Sequence, residues 1–105
     1  MTLTVTDSGR FTLQGNVTFD NASFVEQQGR DQLALDFDSG VDRFEISFLA
    51  LGKVDSSALS VCLSWIRLAR TYQVNLCFTD VPGELHALAT VCGMSEILNS
   101  GRDSF

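Results

Sequence analysis

Val54-Asp55-Ser56-Ser57-Ala58-Leu59-Ser60-Val61-Cys62-Leu63-Ser64-Trp65-Ile66-Arg67-Leu68-Ala69-Arg70 joins the end of a strand to a helix whose first turn is rich in hydroxyls. Asp55, Ser56 and Ser57 are all favourable N-cap residues, and the free N–H groups of a helix start attract acceptor oxygens and negative charge. At about 100° per residue, Ser57, Ser60, Ser64, Arg67 and Thr71 fall within roughly an 80° arc. The opposite side carries Ala58, Cys62, Ile66 and Ala69, which are assigned to the core. Val61, Trp65 and Leu68 flank the polar stripe, an apolar patch that a one-sided surface helix does not need. Small serines permit close approach, the flanking side chains offer apolar area, and Arg67 and Arg70 offer directed charge. The helix therefore reads as a docking face with Ser56, Ser57, Ser60, Ser64, Trp65 and Arg67 as candidate partner-binding residues. Taken singly these residues also have structural readings: Ser56 as an N-cap, and Trp65 as a side chain packed against another helix of the same chain.

The order of elements around this helix is that of an α/β domain. Arg10-Phe11-Thr12-Leu13-Gln14 alternates as a strand, Gly15-Asn16 is a turn signal, and Val17-Thr18-Phe19 begins a partner strand in an expected hairpin. Asn21 caps a helix predicted to run to about Leu33, with Ala22, Phe24 and Val25 as its first apolar contacts. A polar turn through Asp36, Asp38, Ser39 and Gly40 leads to Phe44-Glu45-Ile46-Ser47-Phe48-Leu49-Ala50-Leu51, read as one central strand. After the serine-rich helix, Val74-Asn75-Leu76-Cys77-Phe78-Thr79 reads as a strand whose crossover implies parallel pairing. Asp80-Val81-Pro82-Gly83-Glu84-Leu85 has helix-start chemistry, and that helix stops near Gly93, with His86 partly exposed on it. Met94-Ser95-Glu96-Ile97-Leu98 is expected to form a short terminal element, and residues 99–105 a frayed tail.

A chain of 105 residues with 45% apolar content and eight phenylalanines fits one domain with one core. Its net charge of −6 and pI of about 4.4 disfavour nucleic acid or an anionic lipid surface as a direct partner. Seven acids between Asp20 and Glu45 face only Arg30 and Arg43, a region read as solvated. No apolar run is long enough to span a bilayer, so no direct membrane insertion is expected, and Met1 to Asp7 lack a basic region followed by an apolar one, so no export signal is expected. Cys62, Cys77 and Cys92 are odd in number and widely spaced, which suggests buried thiols in a reducing cytoplasm and neither a disulfide framework nor a metal site. A catalytic cysteine needs an activating base, and the one histidine, His86, has no evident link to any of the three. With no phosphate loop, metal motif or nucleophile elbow, the chain is expected to have no catalytic residue and no cofactor.

The strand ending in Leu49-Ala50-Leu51, the Val54-Asp55-Ser56-Ser57-Ala58-Leu59 junction, the amphipathic helix, Val74-Asn75-Leu76-Cys77-Phe78 and the segment from Pro82 to Leu98 together resemble the STAS domains over most of the chain. Within that family, Val54 to Arg70 and Leu85-His86-Ala87-Leu88-Ala89 through Cys92-Gly93-Met94 to Ile97-Leu98 resemble most the compact bacterial MlaB-type members. The resemblance implies a small mixed sheet with helices largely on one side. It also implies a noncatalytic cytoplasmic subunit that binds the ATPase of an ABC transporter and, through it, a permease. That complex moves phospholipid between bacterial membranes and maintains outer-membrane lipid asymmetry, which would place this subunit peripherally at the inner membrane.

In that family the hydroxyl residue after the helix-start Asp lies at the ATPase contact, which maps to Ser56. In the anti-sigma factor antagonist branch the same motif carries a serine phosphorylated by a partner kinase, and Ser56 is again the match, with Ser57 beside it. That branch commonly has glycine where this chain has Ala58, and Ser57-Ala58 also differs from the paired glycines of some MlaB-type members.

Overall fold

A computed structural model of the chain describes residues 2–7 and 9–93. Among the described residues five strands and three helices follow in the order β1 (Thr2–Asp7), β2 (Arg10–Val17), α1 (Ala22–Phe37), β3 (Arg43–Ser47), β4 (Leu51–Val54), α2 (Ser57–Thr71), β5 (Asn75–Thr79) and α3 (Gly83–Val91). The sheet is mixed, with path β1-β2-β3-β5 and β4 attached to β2. β1 and β2 are antiparallel, while β2/β3, β2/β4 and β3/β5 are parallel. The parallel β3/β5 pairing is the one expected from the α2 crossover.

Period-two alternation puts Phe11 and Leu13 of β2, Phe44 and Ile46 of β3, and Leu76 and Phe78 of β5 into the core. Thr12, Glu45, Ser47, Cys77 and Thr79 are half-buried between them, on the opposite face. The helices pack largely on the first face: the Phe37 ring of α1 meets Phe44 of β3 edge-on at 4.8 Å between centroids. On the other face Arg10 and Glu45 pair across neighbouring strands at 3.4 Å. Among the described residues no helix is long and apolar enough to cross a membrane.

Four sequence expectations change. Gly15-Asn16 does not turn the chain, because β2 runs straight through it and the hairpin partner is β1. Gly15 instead takes a left-handed φ of +94° where the β2/β4 register shifts, and the Asn16 carboxamide accepts the Lys53 N–H at 2.8 Å. Second, the segment from Phe44 to Leu51 is not one strand. Ser47 Oγ accepts the Leu49 N–H at 3.2 Å and donates to Asp80 Oδ2 at 2.9 Å, while the Leu51 N–H bonds the Phe48 carbonyl at 3.0 Å. The chain turns there, and β4 takes over beside the far end of β2.

Third, α1 extends beyond Leu33 to Phe37, since Val25, Gly29, Leu33 and Phe37 form one buried i, i+4 stripe. Phe24, expected among the first apolar contacts, lies off this stripe and is 64% exposed. Fourth, the cysteines are not uniformly buried: Cys62 is buried, Cys77 half-buried and Cys92 exposed. The end of α3 before Gly93, at φ +70°, follows the sequence reading. The expected element at residues 94–98 and the expected tail lie outside the described residues.

Candidate functional site

The start of α2 is organised by Asp55. Its carboxylate accepts the Ser57 N–H at 2.9 Å, the Ser57 hydroxyl, and the Phe19 N–H at 2.9 Å from the loop between β2 and α1. These donors hold the Asp55 carboxyl below its ordinary range, the Ser57 hydroxyl contributing most, then the Phe19 and Ser57 backbone N–H groups. Asp55 thus performs the capping. Ser56, at the N-cap position, already has helical backbone angles (φ −63°, ψ −19°) and makes no side-chain cap hydrogen bond. Its side chain is exposed, whereas the Ser57 hydroxyl is committed to Asp55.

The same carboxylate fixes the loop that presents Phe19. Asn21 closes that loop on itself: its Oδ1 accepts the Thr18 N–H at 3.0 Å and its Nδ2 donates to the Asn16 carbonyl at 2.9 Å. Phe19 stands 84% exposed beyond it. The aromatic side chain is thereby held out on a loop with a tight hydrogen-bond frame.

The polar stripe runs along the groove between α1 and α2. One depression, of about 440 Å³, is lined by Phe19, Ala22, Ser23, Glu26 and Gln27 on the α1 side and by Ser57, Ser60 and Val61 on α2. A second, of about 450 Å³, continues from Ser60 past Leu63, Ser64, Arg67, Leu68 and Thr71, with Arg30 on the facing side. Ser60 is common to both. Of the residues singled out from the sequence, the structure brings Ser57, Ser60, Ser64 and Arg67 to this groove; Ser56 lies at its end, outside the lining of either depression.

Trp65 is a correction. It is fully buried and cannot flank an open docking face. Its indole N–H donates to the Glu26 carbonyl of α1 at 3.1 Å, and its ring lies over Gly29, where a Cβ would come within 2.6 Å of Cε2. The alternative of packing against a helix of the same chain is therefore the observed one. Val61 is likewise 3% exposed, and Leu68 is half-buried at the groove wall. The core assignment of Ala58, Cys62, Ile66 and Ala69 holds, each being buried.

Ser64 is tied to the fold as well as to the groove. Its hydroxyl donates to Glu26 Oε2 at 2.6 Å and accepts from Arg30 Nη2 at 3.0 Å, while Arg30 pairs with Glu26 at 2.6 Å. This network locks α1 to α2 across the groove floor. Reading the sequence one helix at a time missed the whole α1 wall. The traces it left were the Glu26/Arg30 i, i+4 pair and Phe19 standing alone in a polar stretch.

A family model described as an MlaB-type STAS domain matches residues 3–99. Among solved structures, the chain is similar to the anti-sigma factor antagonist SpoIIAA in its unphosphorylated form, with a TM-score of 0.64 and 13% identity over 90% of this chain and 82% of that one. Comparison with curated proteins found no match. The mixed sheet, the one-sided helices and the family match agree, and the chain belongs to the MlaB-type STAS domain family.

Proposed function

We propose that this chain is a noncatalytic subunit that docks on the ATPase of a phospholipid-moving ABC transporter through the groove between α1 and α2, stabilising or regulating that ATPase. The observation that carries the docking part of this reading is the continuity of the groove. Ser57, Ser60, Ser64, Arg67 and Thr71 form one wall of two depressions that meet at Ser60, with the exposed Phe19 at one end. Small hydroxyl side chains let a partner backbone approach, Phe19 supplies an aromatic anchor, and the buried Trp65 and the Glu26–Arg30–Ser64 network hold the two walls at fixed spacing. A rigid groove loses little conformational entropy on binding, which favours a stable subunit contact. Family membership supports the choice of an ABC ATPase as the partner, and through it a permease and a place at the inner membrane. Nothing in this role requires the chain to touch lipid.

A second reading, an anti-sigma factor antagonist switched by a partner kinase, draws on one observation: Ser56 is exposed, is free of a capping bond and stands at a helix start. A phosphate there would add about −1.5 to −2 charges at the end of the groove and alter partner contact.

Co-expression in the native host with the transporter ATPase and permease, followed by gentle purification and intact-mass measurement, separates the two. The transporter reading expects recovery of the ATPase and permease with unmodified chain, and loss of both in Ser56→Arg and Ser60→Arg with unchanged melting. Recovery of a kinase-like anti-sigma factor and a chain heavier by one phosphate would overturn it in favour of the switch.

A further inference from the structure

The groove is not electrically uniform. Within a chain of net charge −6, the depression around Arg67 is lined by Arg30, Ser60, Leu63, Ser64, Leu68 and Thr71, with no carboxylate side chain among the described residues that line it. The neighbouring acid, Glu26, is already engaged by Arg30 and by the Ser64 hydroxyl. Among the described residues Arg10 pairs with Glu45 and Arg30 with Glu26, while Arg43, Lys53, Arg67 and Arg70 have no ion-pair partner, and of these four exposed cations only Arg67 lines the groove. Beyond the backbone ladder of α2, the Arg67 carbonyl accepts the Thr71 hydroxyl at 3.1 Å. A guanidinium that shares this depression with hydroxyls and two leucine side chains offers a fork of donors with no intramolecular acceptor among the described residues.

We infer that the partner segment seated in this groove is acidic at one place: it carries a carboxylate that pairs with Arg67, set about 15 Å along the α2 axis from whatever it presents beside Ser57. This assignment rests on the docking reading above and specifies the chemistry of its occupant. Charge complementarity selects it, because a basic segment would meet an unpaired cation here and a purely apolar one would bury that cation without compensation. The acids of the Asp20 to Glu45 region add a second constraint, since they oppose any partner whose acidity extends over α1 rather than being confined to the Arg67 end.

The test measures binding of the purified chain to the host's own transporter ATPase over a series of salt concentrations. Arg67→Glu should weaken binding by at least tenfold, Arg67→Gln should weaken it less and flatten the salt dependence, and one Asp or Glu to Lys change in the ATPase should restore affinity to Arg67→Glu alone. Arg67 is exposed, so both variants should melt as the parent does. If Arg67→Glu binds like the parent while Ser60→Arg abolishes binding, the acidic contact is wrong and the docking reading stands. If neither substitution changes binding, the groove is not the docking site and both fall.

Discussion

Gly29→Ala is the substitution on which helix propensity and tertiary packing disagree most. Gly29 lies in the middle of α1, where alanine is intrinsically better by about 1 kcal/mol. The structure reverses that expectation. A Cβ at this position would lie 2.6 Å from Cε2 and 3.0 Å from Cη2 of Trp65, whose ring is fully buried and whose indole N–H is tethered 3.1 Å from the Glu26 carbonyl. The ring retreats only by leaving its rotamer well or by parting α1 from α2, and such overpacking costs about 1–3 kcal/mol. Breaking the Glu26 hydrogen bond in the process orphans a buried N–H, costing about 1–3 kcal/mol more. Setting the propensity gain against these, a net destabilisation of roughly 3 kcal/mol is expected.

Trp65 is the one tryptophan of the chain, so its fluorescence during urea unfolding reads the site itself. With a urea slope of about 1–3 kcal/mol per molar, the midpoint should fall by roughly 1.5 M. A midpoint raised by the amount helix propensity alone supplies would refute the packing argument and return Trp65 to the surface of α2.

Trp65→Phe keeps the aromatic bulk but removes the N–H bonded to the Glu26 carbonyl; it should cost about 1–2 kcal/mol in unfolding experiments while leaving partner affinity unchanged, and the opposite pattern would put this side chain in the interface. Because the Asp55 carboxyl is held below its unfolded value, its contribution to stability is fully present above about pH 4 and is lost as the pH falls through the lower folded value. Asp55→Asn should therefore flatten the acid side of the stability profile in thermal melts between about pH 5 and pH 2, and an unchanged profile would discount the Asp55 network. Thiol labelling should proceed in the order Cys92, Cys77, Cys62: Cys92 is exposed, whereas burial pushes the Cys62 thiol up to about 12, leaving it inert until the chain unfolds. Rapid native-state modification of Cys62, read by mass spectrometry, would contradict its place in the core. Ser64→Ala should lower stability by about 1 kcal/mol through loss of its bonds to Glu26 and Arg30, measured by the same urea titration.

Local chemistry determined much of this molecule. Alternation of apolar and polar residues was enough to place the strand starting at Arg10, the strand containing Phe44 and Ile46, and the one from Asn75 to Thr79, because a strand with one buried face repeats every two residues. The length of α2, its core side of Ala58, Cys62, Ile66 and Ala69, and the stop at Gly93 follow from helical periodicity and backbone freedom in the same way. The polar stripe from Ser57 to Thr71 was also legible, since it depends only on 100° steps along one helix.

What the tertiary structure alone decided was everything set by a second element. Gly15-Asn16 carries a turn signal, yet it became a bulge because β4 arrives beside β2 and the Asn16 side chain binds its backbone. Trp65 and Ser64 stand next to each other on α2, and only the approach of α1 buries one over Gly29 and leaves the other at a groove wall. Phe24 and Val25 are equally apolar, and the direction from which the sheet meets α1 exposes the first and buries the second. A sequence fixes which faces a helix has; which of them is covered depends on contacts between residues distant in the chain, and those contacts have no local periodicity to read.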